Sequence, residues 1–88
     1  MSYDYETQRS FVFTEAGQVM FLAIRDKAQE LIKVAGAVMS VKLIACTSGD
    51  TWNMLACIDR LVELGELREL TGTAVAGQHR VFVSRRAE

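Results

Sequence analysis

The chain has 88 residues, of which 50% are apolar, and 10 Lys and Arg against 11 Asp and Glu give a formal net charge of −1. This length fits one small domain. The apolar content excludes intrinsic disorder, and the charge balance excludes a strongly basic protein that coats nucleic acid. No segment has the pattern of a signal peptide or a transmembrane span, so we expect a cytoplasmic protein without membrane contact.

The first part of the chain predicts a tail followed by a long helix. Residues 1–10 are mostly polar and are predicted to be a flexible N-terminal tail, which leaves a single domain over 11–88. Thr14 is a suitable N-cap, and apolar residues recur at helical spacing from Glu15 to Ala35. Gly36 follows at the position where helices often end in a left-handed residue.

Two apolar residues of this long helix, Val19 and Leu22, fall on its polar side. Either the apolar run Phe11–Phe13 covers them, or they contact another subunit or partner. The second alternative predicts a dimer interface made of Phe11, Phe13, Val19 and Leu22.

Two further helices are predicted in the middle of the chain. A short strand or turn at Val38-Met39 precedes Ser40, a candidate cap, and a short apolar helix over 41–46. The segment 47–50, Thr-Ser-Gly-Asp, is rich in turn and cap residues. A third helix is predicted from about Thr51 to Leu64.

The phase of this third helix separates an apolar face from a polar one. Met54, Leu55 and Ile58 lie on the first, and Trp52 lies on the second, where it either anchors a contact or packs against the preceding helix. Gly65 is predicted to end the helix. Arg68 to Ser84 is predicted to form a β-hairpin, with an alternating return strand over 79–84.

The order helix, short helix, tight turn, helix and hairpin resembles the winged-helix family of helix-turn-helix domains over about residues 14–85. The resemblance lies in Leu43-Ile44-Ala45, the turn 47–50, and the run Leu61-Val62-Glu63-Leu64-Gly65 before the hairpin. It implies an α+β fold with three helices and a C-terminal hairpin wing. It also implies that the third helix is the one that recognises DNA.

The resemblance therefore implies a small DNA-binding protein, a transcriptional regulator that acts as a homodimer on double-stranded DNA. Asn can pair with adenine and Arg with guanine, and Lys or Arg contacts phosphate. The implied DNA contacts are Lys42, Ser48, Thr51, Trp52, Asn53, Ala56, Arg60, His79, Arg80, Arg85 and Arg86.

Acidic residues on the third helix weaken this expectation. Asp59 and Glu63 accompany Arg60 on its polar face, so phosphate attraction per subunit is predicted to be weak. The alternative is a winged-helix module that binds protein or scaffolds an assembly without contacting DNA.

Catalytic, metal and cofactor chemistry has no support in the sequence. His79 is the single histidine, and Cys46 and Cys57 lack the further ligands of a zinc site. The glycines match no phosphate-binding spacing, and no catalytic triad or acid–base pair is recognisable. We therefore expect a protein that is not an enzyme and that holds no metal and no cofactor.

Overall fold

The computed structural model describes residues 3–71 and 79–85, and these contain four helices and three short strands. The helices are α1 (Tyr5–Val12), α2 (Glu15–Ala35), α3 (Ser40–Ala45) and α4 (Thr51–Glu63), and the strands are β1 (Val38–Met39), β2 (Leu67–Glu69) and β3 (Val81–Ser84). The fold class is α+β, as predicted.

The predicted ends of α2 and α4 are confirmed. The Thr14 hydroxyl accepts a hydrogen bond from the backbone N–H of Gly17 at 3.0 Å, which caps α2. Gly36 and Gly65 both have positive φ, +85° and +81°, and follow the ends of α2 and α4. Glycine adopts this left-handed conformation without steric cost, so these two residues end the helices where the sequence indicated.

Ser40 does not cap α3 as predicted, because it is the first residue of that helix and is buried. Its backbone N–H donates to the Arg80 carbonyl oxygen at 2.8 Å, and its Oγ accepts from the Arg80 backbone N–H at 3.1 Å. Ser40 therefore joins the start of α3 to the start of β3.

The three strands form an antiparallel sheet in the order β1-β3-β2. The predicted hairpin pairs β2 with β3, with Arg68 opposite Val83 and Glu69 opposite Phe82. Val38 of β1 pairs with Phe82 from the other side. The part of the predicted hairpin loop at 72–78 lies outside the described residues.

The core lies between α2, α4 and the sheet. Phe82 enters it from β3, Ile24 from α2 and Ile58 from α4, and all three side chains are fully buried. Leu43 brings α3 into the same cluster. Burial of these apolar surfaces is the main term that favours this packing.

The predicted tail over 1–10 is wrong for its described part, because α1 begins at Tyr5. α1 packs against both α4 and α2, and its last residue, Val12, is fully buried. The segment 1–10 has few apolar residues, because Phe11 and Val12 of α1 lie beyond it, so its hydrophobic pattern taken alone is weak. Tertiary contacts, rather than that pattern, stabilise it as a helix.

No helix within the described ranges combines the length and the apolar character that crossing a membrane requires.

Candidate nucleic-acid interface

The first turn of α4 remains accessible. Asp50 caps it, with Oδ1 accepting hydrogen bonds from the backbone N–H groups of Trp52 at 2.7 Å and Asn53 at 3.3 Å. The Thr51 side chain is exposed, and Trp52 and Asn53 are partly exposed. Trp52 also packs against the core, so both alternatives for its ring hold in part.

Two predicted contacts that precede α4 in the chain are also exposed. Lys42 lies on α3, and Ser48 lies in the turn that connects α3 to α4. Together with the first turn of α4, they form the surface that we call the α4 tip: Lys42, Ser48, Thr51, Trp52 and Asn53.

The rest of the predicted DNA-contacting face of α4 is covered by α1. The Tyr3 hydroxyl donates to Asp59 Oδ2 at 2.6 Å, and the Tyr5 hydroxyl donates to Glu63 Oε1 at 2.6 Å. Arg9 of α1 also contacts Glu63, with 3.2 Å between Nε and Oε2. These contacts hold the N-terminal segment along the second half of α4.

Ala56 is fully buried, so it cannot reach a base edge, and its predicted role is wrong. The helical phase placed Ala56 opposite the core, but α1 packs on that side. α4 therefore lies between α1 on one face and the core on the other. This position explains why residues on both faces are buried.

Arg60, predicted to contact a base, is engaged within the protein. Its Nη1 lies 2.8 Å from Glu63 Oε1, and its guanidinium carbon lies 5.0 Å from the centre of the Phe13 ring. Arg9 lies at the same distance from that ring. Phe13 thus contributes to two cation–π contacts at the α1–α4 contact.

Arg80, predicted to contact phosphate, is also occupied. Its Nη2 lies 2.6 Å from Asp59 Oδ1 and 2.8 Å from Glu69 Oε1, and only 14% of its side chain is exposed. Burial opposes its charge, but the hydrogen bonds that Arg80 donates to Glu69 and Asp59 outweigh burial and raise the pKa of Arg80. The guanidinium is a structural bridge between α4 and the sheet, which corrects the prediction.

The remaining wing residues are placed as follows. His79 and Arg85 are exposed, and Arg68 on β2 is exposed as well. Arg86 lies outside the described residues. In the described part of the predicted wing, the exposed basic side chains are therefore His79 and Arg85, which were predicted contacts, and Arg68, which was not.

Three of the four predicted interface residues are exposed. The exposed fractions are 52% for Phe13, 67% for Val19 and 45% for Leu22, so the Phe11–Phe13 segment does not cover the outer side of α2. Phe11 instead packs partly buried against the core, which removes most of its surface from an interface. The Phe13 ring lies against Arg9 and Arg60 rather than on α2, so we call Val19 and Leu22 alone the α2 patch.

The contacts that the N-terminal residues Tyr3, Tyr5 and Arg9 make with α4 were not predicted from the sequence. Tyr5 and Arg9 are four residues apart on α1, and both contact Glu63, which lies four residues after Asp59, the partner of Tyr3. The four-residue spacing of Tyr5 and Arg9, and the same spacing of Asp59 and Glu63, was the sequence signal that could have predicted the contact between α1 and α4.

Cysteine and metal chemistry does not contribute to this surface. Burial raises the pKa of Cys57 to about 11, so its thiol stays protonated, and Cys46 is exposed. Within residues 3–71 and 79–85, no group of His, Cys, Asp and Glu side chains is arranged to hold a metal ion.

Comparisons of this chain with protein-family models, with curated proteins and with solved structures gave no match.

Proposed function

We propose that this chain is a winged-helix protein that binds double-stranded DNA, acts as a homodimer in the cytoplasm, and regulates transcription rather than catalysing a reaction. The observation that carries the proposal is the accessible α4 tip. It follows a short helix and a tight turn, the geometry with which helix-turn-helix proteins place the N-terminal residues of one helix in the major groove. The antiparallel strands β2 and β3, which follow α4, are the proposed wing.

The acidic residues of α4 do not weigh against this mode of binding. Asp59 and Glu69 are paired with Arg80, and Glu63 is paired with Arg60 and Arg9. The three carboxylates and three guanidinium groups therefore form two separate networks, one around Arg80 and one around Glu63, and their charges sum to zero. The combined field of these networks at a neighbouring phosphate is small because opposite charges lie within 4 Å of each other.

The proposed contact is made by the end of α4 rather than by its length. Asn53 is the residue suited to read adenine, Thr51 can hydrogen-bond a base or a phosphate, and Lys42 supplies a charge for the backbone. Arg85 and His79 extend the contact on the wing side. The number of available cations is small, so affinity per subunit is low and depends strongly on salt.

Dimerisation compensates for this weakness by doubling the phosphate contacts. The α2 patch is the proposed contact with a second copy, because Val19 and Leu22 are apolar, exposed and three residues apart on one helix. Two copies related by a twofold axis would present two α4 tips to the two half-sites of a palindromic operator.

Fluorescence anisotropy with duplex DNA tests the proposal. At about 50 mM salt we expect binding at micromolar protein, with Lys42→Ala reducing the salt dependence by about one unit of slope. Lys33→Ala, an exposed lysine at the end of α2, is the matched control and should leave the slope unchanged. Absence of binding at this salt concentration refutes DNA binding.

Sedimentation tests the dimer separately. Leu22→Glu places a charge in the α2 patch and should convert dimer to monomer, whereas Gln29→Glu, an exposed position further along the same helix, should not. An unchanged mass for Leu22→Glu refutes this interface.

A protein-binding module without DNA contact is the second candidate. It is favoured by the engagement of Arg60 and Arg80 in internal ion pairs, together with the exposed α2 patch. A dimer that persists in sedimentation while anisotropy detects no DNA binding would support this candidate over the first.

A further inference from the structure

A cleft lies between α2, the end of α4 and the sheet. Its volume is about 430 Å³, which lies within the range of small-molecule sites. Arg25 lies at its edge. Its apolar wall is formed by Ala28, Ile32, Leu61, Leu64 and Leu67.

The Arg25 side chain has unused hydrogen-bonding capacity at this cleft. Its Nε atom is buried, and among the described residues it has no hydrogen-bond partner. Its Nη2 atom lies 3.4 Å from Asp26 Oδ1, a long contact to a carboxylate whose side chain is 71% exposed. An exposed pair of this kind contributes little, so Asp26 does not satisfy the guanidinium.

A buried donor without an acceptor costs free energy, and binding recovers that cost when the Arg25 side chain turns so that a ligand supplies the acceptor. A carboxylate matches the fork of Arg, because its two oxygens can accept from Nε and an Nη group together. The apolar wall beside the guanidinium would hold the hydrocarbon part of the same molecule.

We propose that this cleft binds a small monocarboxylic acid with an apolar body, such as a medium-chain fatty acid. The carboxylate pairs with Arg25, and the chain lies against Ile32, Leu61 and Leu67. Glu66 also lines the cleft, and its charge disfavours a ligand with two negative charges, such as a phosphate monoester. This inference does not depend on the proposed DNA binding.

The test is a titration of the full chain with octanoate, followed by the backbone amide signals in ¹H–¹⁵N NMR spectra. We expect saturable shifts of the amides around Ala28, Ile32 and Leu67, with a dissociation constant in the millimolar range or below. Octanamide, which has the same length and no charge, should bind at least tenfold more weakly. Inorganic phosphate should cause no shifts at these amides.

Two variants assign the carboxylate to Arg25. Arg25→Gln should weaken octanoate binding about tenfold or more, a change of about 1.4 kcal/mol. Arg68→Gln, which removes an exposed arginine outside the cleft, should leave binding unchanged. The dispersion of the amide spectrum shows directly whether each variant is folded.

A third variant tests the cleft itself. Ala28→Leu adds bulk to the apolar wall and should reduce the binding of both octanoate and octanamide. Equal binding of the acid and the amide, unchanged octanoate binding by Arg25→Gln, or no shifts at millimolar octanoate would each overturn the proposal.

Discussion

Replacing Arg80 by Met tests the ion-pair cluster that joins α4 to the sheet. Met retains an apolar side chain that can contact Phe82, whose ring centre lies 5.0 Å from the Arg80 guanidinium carbon. It removes the charge that pairs with Asp59 and Glu69, whose side chains are only 15% and 23% exposed. Two incompletely solvated carboxylates would then face each other without a counter-charge.

The expected loss of stability follows from this burial. Removing one partner of a fully buried ion pair costs about 3–5 kcal/mol. Because Asp59 and Glu69 retain some contact with water, we expect the free energy of unfolding to fall by about 2–3 kcal/mol. In a domain of this size, the melting temperature should fall by roughly 10–20 °C.

Urea unfolding followed by tryptophan fluorescence measures this change, because Trp52 packs partly against the core. Arg68→Met is the matched control, since Arg68 lies next to Glu69 on β2 and is exposed. Its effect should stay within about 0.5 kcal/mol.

The pH dependence gives a second, independent check. The hydrogen bond from Arg80 lowers the pKa of Glu69, so this pairing stabilises the protein above the ordinary pKa of Glu and is lost as pH falls. Without Arg80, the charge of Asp59 raises the pKa of Glu69, and protonation relieves the repulsion. The difference in the free energy of unfolding between Arg80→Met and the parent protein should therefore be smaller near about pH 4 than near about pH 7. A difference below about 1 kcal/mol at neutral pH, or the same difference at both pH values, would refute the bridging role of Arg80.

Three further predictions concern the contact of α1 with α2, the contact of α1 with α4, and the cap of α4. Gly17→Ala places a Cβ on α2 only 1.9 Å from the Phe11 carbonyl oxygen of α1, so α1 must shift. We expect the free energy of unfolding, measured in urea, to fall by about 1–3 kcal/mol. An unchanged unfolding midpoint would mean that α1 and α2 do not pack at this point. Hydrogen bonds from Tyr5 and Arg60 lower the pKa of Glu63 to about 2, so the parent protein loses this stabilisation as pH falls from 4.5 towards 2. Glu63→Gln should show a flatter decrease of melting temperature over that interval, and equal slopes would contradict the assignment. Asp50→Ala removes the N-cap of α4 and should lower the free energy of unfolding in urea by about 1 kcal/mol. Asp50→Asn, whose side chain can still cap the helix, should lower it by less. Equal losses of stability in the two variants would exclude capping as the cause.

The sequence by itself determined the elements whose signals are local. Thr14 caps α2 through an amide three residues away, and Gly36 and Gly65 adopt the positive φ that ends α2 and α4. Helical periodicity and capping depend on neighbours within one or two turns, so they can be recognised without tertiary information.

Only the tertiary structure decided which charged side chains and which helix faces are exposed on the surface. The segment 1–10 has a weak apolar pattern, and its partner Glu63 lies 58 residues beyond Tyr5 along the chain. Arg80 lies 21 residues from Asp59, and its ion pairs form only when the sheet packs beside α4. Ala56 is buried because a helix predicted to be a tail packs over it. Helical phase shows which residues share a face, but only the packing of distant segments decides whether that face meets water or protein.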